Sequence, residues 1–206
     1  IFDLMDFSID THKLAYHPDR VSEIVEAGSD WSKHINVRPI YAEISTSGAC
    51  NHRCTFCSVD YIGYKKVFLP FSLLDNFFTS AEKLGLKAVM FAGDGEPLLN
   101  PEIANIVDSA HRHSIDSSFT TNGVLLKDEF IRSSLSKITW IKVSLNAGLA
   151  EDYSAVHRTS RHDFDTVWSN LSFASNYRTE NSISCNIGVQ SLLLPDNINS
   201  LHDLPS

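Results

Sequence analysis

Alternation constrains this chain more than any other feature. From residue 39 onward, stretches that read as strands are separated by stretches with the spacing of amphipathic helices. Ile40 to Thr46 alternates Ile40, Ala42 and Ile44 with Tyr41, Glu43 and Ser45, the period-two signal of a strand. Pro70 to Leu84 places Phe71, Leu74, Phe78, Ala81 and Leu84 on one helical face, and Gly85 ends it. Four more strands are expected at Lys87–Gly93, Ile115–Thr121, Ile138–Ser144 and Ser182–Leu192. Between them, Asn100 and Pro101 make a helix start, cap then first turn, for a helix carrying Ile103, Ile106, Val107 and Ala110. Lys127–Leu135 and Asp163–Tyr177 are further helices, the second with Phe164, Val167, Trp168, Leu171 and Ala174 inward. Asp196 onward reads as another helix start. Five strands alternating with helices call for an α/β fold with a mostly parallel sheet and right-handed crossovers.

Such a chain closes as a barrel or lies open as a doubly wound sheet. The first strand-to-helix turn is no G-x-G-x-x-G phosphate loop, which disfavours the dinucleotide-binding version. Glu43, Lys142, Asn186 and Gln190 sit at alternate strand positions, so one face of the sheet is expected to be wet. A partial barrel with a ligand in its lumen suits that face. Residues 1–38 read as an N-terminal extension across the bottom or side of the domain, with a short helix over Pro18–Ala27 stopped by Gly28. Residues 39–206 form the domain itself. The start at Ile1 and the late helix signal at Asp196 read as a piece of a longer protein.

The chemistry concentrates just after the first strand, in Cys50-Asn51-His52-Arg53-Cys54-Thr55-Phe56-Cys57. Three thiols at CxxxCxxC spacing in one short loop can converge on a single metal centre. Structural zinc takes four ligands, commonly from two close pairs. His52 is too near its neighbours for an easy tetrahedron, and Cys185 is far away in the chain. Three thiolates instead hold three irons of a four-iron cluster and leave the fourth iron open to a small molecule. The spacing favours that cluster over zinc.

Seventeen Lys plus Arg against 25 Asp plus Glu give a net charge of −8, which argues against a nucleic-acid backbone or an anionic membrane as the main partner. No apolar run reaches the length of a membrane span, and no basic-then-apolar leader opens the chain. A cytoplasmic setting, where thiols stay reduced and clustered cysteines bind metal, is the expectation.

With its aromatic Phe56 before the last cysteine, the motif resembles that of the radical S-adenosylmethionine (radical SAM) superfamily, and the resemblance covers roughly Pro39 to the end. It implies a partial (β/α)6 barrel whose cluster loop follows the first strand, with a sixth strand beyond Ser206. It implies two cofactors, a [4Fe–4S] cluster on Cys50, Cys54 and Cys57 and S-adenosyl-L-methionine on the open iron. After the second strand comes Gly93-Asp94-Gly95-Glu96-Pro97. The family's Gly-Gly-Glu-Pro turn holds the amino group of S-adenosylmethionine there; here Asp94 stands for the first glycine of the pair. Glycine lets backbone approach a ligand, and a carboxylate balances an ammonium. A plain strand-to-helix turn favours the same residue types.

The resemblance extends to the remaining strand ends. Thr120-Thr121-Asn122-Gly123 matches a loop facing S-adenosylmethionine or substrate, although Asn-Gly is also a common turn. Ser144 becomes a hydroxyl for the ribose or carboxylate, and Asn146 stands where relatives often carry aspartate. Arg158 lies near an arginine that pairs with the carboxylate, with Arg161 as competitor. Gly188 would let adenine approach the fifth strand, and Gln190 would face the lumen. Cys185 alternates with Ile183, Ile187 and Val189, so it reads as a core thiol, and His111 and His113 read as helix-surface residues without partners.

The implied reaction is reductive cleavage of S-adenosylmethionine to a 5′-deoxyadenosyl radical that takes a hydrogen from the substrate. That substrate is a small molecule or a peptide, and the electron comes from a donor such as flavodoxin or ferredoxin. Two other readings stand beside it: a non-catalytic zinc or iron–sulfur module that binds a partner or relays electrons, and a catalytically dead relative.

Overall fold

The computed structural model describes residues 12–204. Five strands, β1 (Tyr41–Ile44), β2 (Ala88–Phe91), β3 (Asp116–Thr121), β4 (Ile138–Ser144) and β5 (Asn186–Gln190), form one sheet in sequence order, every neighbouring pair parallel. Consecutive parallel neighbours need a crossover each. The helices in chain order are α1 (Pro18–Ala27), α2 (Trp31–His34), α3 (Ser58–Ile62), α4 (Phe71–Lys83), α5 (Ile103–Arg112), α6 (Asp128–Ser134), α7 (Ala150–His157) and α8 (Arg161–Glu180). Four of them, α4, α5, α6 and α8, lie against one face of the sheet, as their inward residues show. Val89, Phe91, Phe119, Ile141 and Val143 meet Phe78, Ile106, Val107, Ile131, Val167 and Ala174 in a single apolar core.

Strand register sorts the residues onto two faces. Met90 pairs with Ser118, Thr120 with Lys142, Lys142 with Gly188 and Ser144 with Gln190, so these share the face away from that core. Lys142 and Ser144 are half-buried there, Glu43 and Gln190 exposed. A parallel sheet covered by helices on one side and polar on the other is the expected partial barrel. At the core itself, Phe119 is 1% exposed, with the Phe91 and Phe130 rings at 5.1 and 5.6 Å. Phe119→Ala is expected to destabilise the fold by about 3–5 kcal/mol, read as a fall in the denaturant midpoint at unchanged slope.

Element ends differ from the expectation where local hydrogen bonds, backbone or side-chain, compete with strand and helix pairing. The fifth strand begins at Asn186, not Ser182, because Ser182 takes a left-handed φ of 52° and Ile183 donates back to Arg178 O at 2.9 Å, closing the end of α8. No helix forms at Asp196. Asn197 is buried there; its Oδ1 accepts from Leu194 N at 2.8 Å and its Nδ2 donates to Leu192 O at 2.7 Å, holding the chain in turns. Only a 3-10 turn follows, at Leu201–Asp203. His113 has partners after all, with Glu82 at 2.8 Å from Nδ1 and Thr79 at 3.4 Å from Nε2. Helix α1 forms over the expected residues and reaches the domain through Arg20, which donates to Leu84 O at 3.1 Å. The His12 ring meets that of Tyr41 at a tilt, centroids 5.5 Å apart, at the N-terminal end of the sheet.

Candidate active site

The opposite end of the sheet, where β1 to β4 terminate, carries a cavity of about 160 Å³. Parallel strands place their C-terminal ends together, and the turns that follow can converge on one ligand. Cys50, Cys54 and Cys57 line this cavity along with Phe56, Gly93, Asp94, Gly95, Glu96, Thr121, Asn122 and Ser144. Ala92, Thr120, His52, Tyr64 and His157 complete its wall.

The cysteine loop is held at both ends. Its stem pairs Gly48 N with Val67 O at 2.8 Å and Lys65 N with Gly48 O at 2.9 Å. Its centre docks on α7: Arg53 N donates to His157 O at 3.1 Å and Thr55 N to Val156 O at 2.9 Å. The last carbonyls of a helix lack partners within it, so the loop's amides satisfy groups that α7 leaves open. Arg158 ends α7 in a left-handed conformation, φ 47°, and turns its side chain to Asp60 at 3.5 Å. Arg53 lies over the Tyr64 ring at 4.4 Å.

The turn after β2 reaches across to this loop. Gly93 has φ 108°, and Glu96 N donates to Ala49 O at 2.8 Å. A Cβ on Gly95 would overlap the carbonyl oxygens of both Ala49 and Ser47. Gly95→Ala must therefore push the turn off the cysteine loop, at a cost of about 1–3 kcal/mol. The expected result is a lower melting temperature of the metal-free protein and weaker retention of iron after reconstitution. Glu96 itself is buried, and its carboxylate accepts from Thr121 Oγ1 at 2.6 Å, Asn122 N at 2.8 Å and Leu98 N at 3.1 Å. Burial holds its carboxyl above the usual range, against the pull of those three donors. Asn122 turns its amide to Asn51 Oδ1 at 2.7 Å, tying β3 to the loop.

The sulfurs have neighbours of their own. His157 Nδ1 is 3.2 Å from Cys54 Sγ, and Tyr64 OH is 3.2 Å from Cys57 Sγ. Burial first, then the Cys50 and Cys57 charges, push the Cys54 thiol up to about 12, and burial raises Cys50 too. His157 is buried, stacked on Tyr153 at 4.2 Å, and its ring is driven down to about 3 by the same loss of solvent. His52 is also fully buried, 3.4 Å from Asp163. That contact is close enough to attract, but neither ring nitrogen of His52 makes a well-directed hydrogen bond.

Other singled-out residues lie elsewhere. Pro97 is buried as the first residue of the 3-10 turn Pro97–Leu99. Asn146 is buried behind the cavity, against His157. Arg161 pairs with Glu151 at 2.6 Å on the surface. Gly188 lines a separate open cleft with Trp168 and Leu171, and Gln190, exposed, is in register with Ser144 one strand over. Cys185 is buried in the apolar core. Sequence reading passed over His157 in favour of its neighbour Arg158. The Cys54–His157 contact spans 103 positions, and only the Tyr153–His157 spacing along one helix face hints that the ring is held.

Three free cysteines on one cavity wall, with no fourth among the described residues at that wall, are a donor set that fits a [4Fe–4S] cluster with one iron left open. Their fit is also electrostatic: half-buried thiols on one cavity wall become thiolates when a cation takes up their charge.

A family model, the Radical SAM superfamily, matches residues 44–202. The chain belongs to that superfamily, whose members use a [4Fe–4S] cluster and S-adenosylmethionine. It is 30% identical over 103 residues to an S-adenosylmethionine-dependent nucleotide dehydratase of Lacinutrix mariniflava, a match spanning 48% of this chain and 21% of that protein. It is 37% identical over 90 residues to a GTP 3′,8-cyclase of Clostridium acetobutylicum, spanning 42% of this chain and 28% of that one. The chain thus spans well under half the length of these relatives. Among solved structures, Streptococcus suis SuiB bound to the precursor peptide SuiA superposes with a TM-score of 0.63 at 20% identity, over 92% of this chain and 40% of SuiB. BtrN in complex with AdoMet and 2-DOIA superposes with a TM-score of 0.55 at 16% identity, over 75% of this chain and 58% of BtrN.

Proposed function

We propose that this chain is the catalytic core of a radical SAM enzyme, with residues 39–206 as its partial barrel and residues 1–38 as an extension. When bound, the cluster supplies the electron that cleaves S-adenosylmethionine reductively, giving the 5′-deoxyadenosyl radical that takes a hydrogen from the substrate. The observation that carries this reading is the convergence of Cys50, Cys54 and Cys57 on one cavity with the ends of β2, β3 and β4.

Each residue then has a task. Cys50, Cys54 and Cys57 ligate three irons. Glu96 has about four lone-pair sites on its carboxylate and gives three to Thr121, Asn122 and Leu98, which leaves one for the amino group of S-adenosylmethionine. Gly93 and Gly95 keep the turn's backbone close to the ligand, and Ser144 offers a hydroxyl from the end of β4. Phe56 and Tyr64 shield the sulfurs from water. Arg158 and Arg161 reach the ligand only by leaving Asp60 and Glu151. Substrate, small molecule or peptide, would enter above the cavity, with a flavodoxin or ferredoxin supplying electrons in the cytoplasm. Among the described residues, no helix is long and apolar enough to cross a membrane.

A zinc-binding module is the second reading, and one observation favours it. Ligand atoms of His52, Cys54 and His157 lie within 4.8 Å of one another. Anaerobic reconstitution with iron and sulfide, followed by dithionite and S-adenosylmethionine, separates the two. The radical SAM reading expects a brown protein that forms 5′-deoxyadenosine. Zinc bound in place of iron, without that product, would favour the module.

A further inference from the structure

Beside the three cysteines, one buried chain of hydrogen bonds leads from the backbone after β5 to a sulfur. Leu192 N donates to Asn146 Oδ1 at 2.7 Å, which fixes the carbonyl end of that side-chain amide. The amino end, Nδ2, therefore faces His157 Nε2, 3.4 Å away. An NH₂ group only donates, so Nε2 must be the bare, accepting nitrogen of the ring. A neutral imidazole carries its proton on the other nitrogen, and that nitrogen, Nδ1, lies 3.2 Å from Cys54 Sγ. A doubly protonated ring would set N–H against N–H at Asn146, so the same geometry excludes it.

The ring has little freedom to turn. His157 and Asn146 are both buried, Tyr153 stacks on the imidazole at 4.2 Å, and His52 meets it edge-on at 5.2 Å. Asn146 is anchored a second time through its backbone, whose O accepts from Asn197 Nδ2 at 2.8 Å.

We infer that Asn146 fixes the tautomer of His157 so that its Nδ1–H points at Cys54 Sγ, making His157 a positioning residue that raises the reduction potential of the cluster. The physical reason is charge: the reduced cluster carries one more electron than the oxidised one. A donor aimed at a ligating sulfur favours the more negative state. An aspartate at 146 would accept from Nε2 and demand the proton there, leaving a neutral ring with its lone pair toward the sulfur. Asparagine and not aspartate is the residue that sets this donor.

The inference rests on Cys54 being a cluster ligand, and its test keeps the two apart. The full-length protein is reconstituted anaerobically, and the potential is measured by redox titration followed by electron paramagnetic resonance. In His157→Phe, which keeps a ring on Tyr153 but no donor, the ratio of reduced to oxidised cluster at a fixed poise should fall about tenfold, a shift of about 59 mV for one electron. His157→Asn, whose amide nitrogen falls near the place of Nδ1, should restore most of that loss. Independently, protein labelled with 15N-histidine should show a weak 15N coupling on the reduced cluster that His157→Asn removes. That measurement on the unmutated protein decides the matter if His157→Phe does not fold. Absence of the coupling, or an intact cluster with unchanged potential in His157→Phe, would overturn the inference alone. Failure of the unmutated protein to form a [4Fe–4S] signal would overturn the cluster assignment and this inference with it.

Discussion

Replacing Cys54 with alanine should abolish 5′-deoxyadenosine formation, by at least about a thousandfold, or about 4 kcal/mol of transition-state stabilisation. Cys50→Ala and Cys57→Ala should do the same, because a cluster that loses one of three protein ligands leaves a second iron unheld. The control is Cys185→Ala. That thiol is fully buried among apolar side chains on the far side of the sheet, so the variant should lose some stability yet bind iron normally. Iron and sulfide analysis beside a product assay reads both outcomes. A Cys54→Ala protein that still forms product at a tenth of the normal rate would sink the proposed function.

The second large effect belongs to Glu96. Its carboxylate is buried and is the acceptor for the Thr121 hydroxyl and two backbone amides. Glu96→Ala leaves the Asn122 and Leu98 amides without an acceptor in a dry site, at about 1–3 kcal/mol for each unpaired donor. The turn after β2 and the end of β3 should separate, with a lower denaturant midpoint and loss of S-adenosylmethionine binding. Glu96→Gln keeps the shape but must turn its NH₂ toward at least one of those donors, so it should cost less stability. If it still removes most of the affinity for S-adenosylmethionine, the carboxylate's charge matters beyond its structural bonds. Calorimetric titration of the cluster-loaded protein measures the affinity, and unchanged binding in Glu96→Gln would remove that role.

The fold was legible because each strand and helix carries its own period. Helix α4 shows it: Leu74, Phe78 and Ala81, separated by four and three residues, are the ones that bury. The sequence and the structure part where local hydrogen bonds take over backbone pairing: from the backbone at Ile183, before β5, and from the side chain of Asn197 in the segment expected to be a helix. Binary pattern holds no record of such local competition. The three cysteines and the Gly-Asp-Gly-Glu-Pro turn were legible as motifs, each confined to a few consecutive residues. The partners of the sulfurs were not. His157 and Tyr64 become neighbours of Cys54 and Cys57 only through the docking of α7 and the folding back of the loop. Arg158, next to His157, drew attention because a guanidinium suits a carboxylate, yet the end of α7 turns it outward to Asp60.

The docking of the cysteine loop on α7 bears on how the metal arrives. Amides of Arg53 and Thr55 already have carbonyl partners at the helix end, so this stretch is ordered by contacts that involve no metal. Assembly then finds the backbone of the loop already held, and little chain entropy is left to lose at the moment of capture. A scaffold prepared in this way should take up iron quickly and tolerate its loss without unfolding, the opposite of a zinc finger, whose fold waits on its ion.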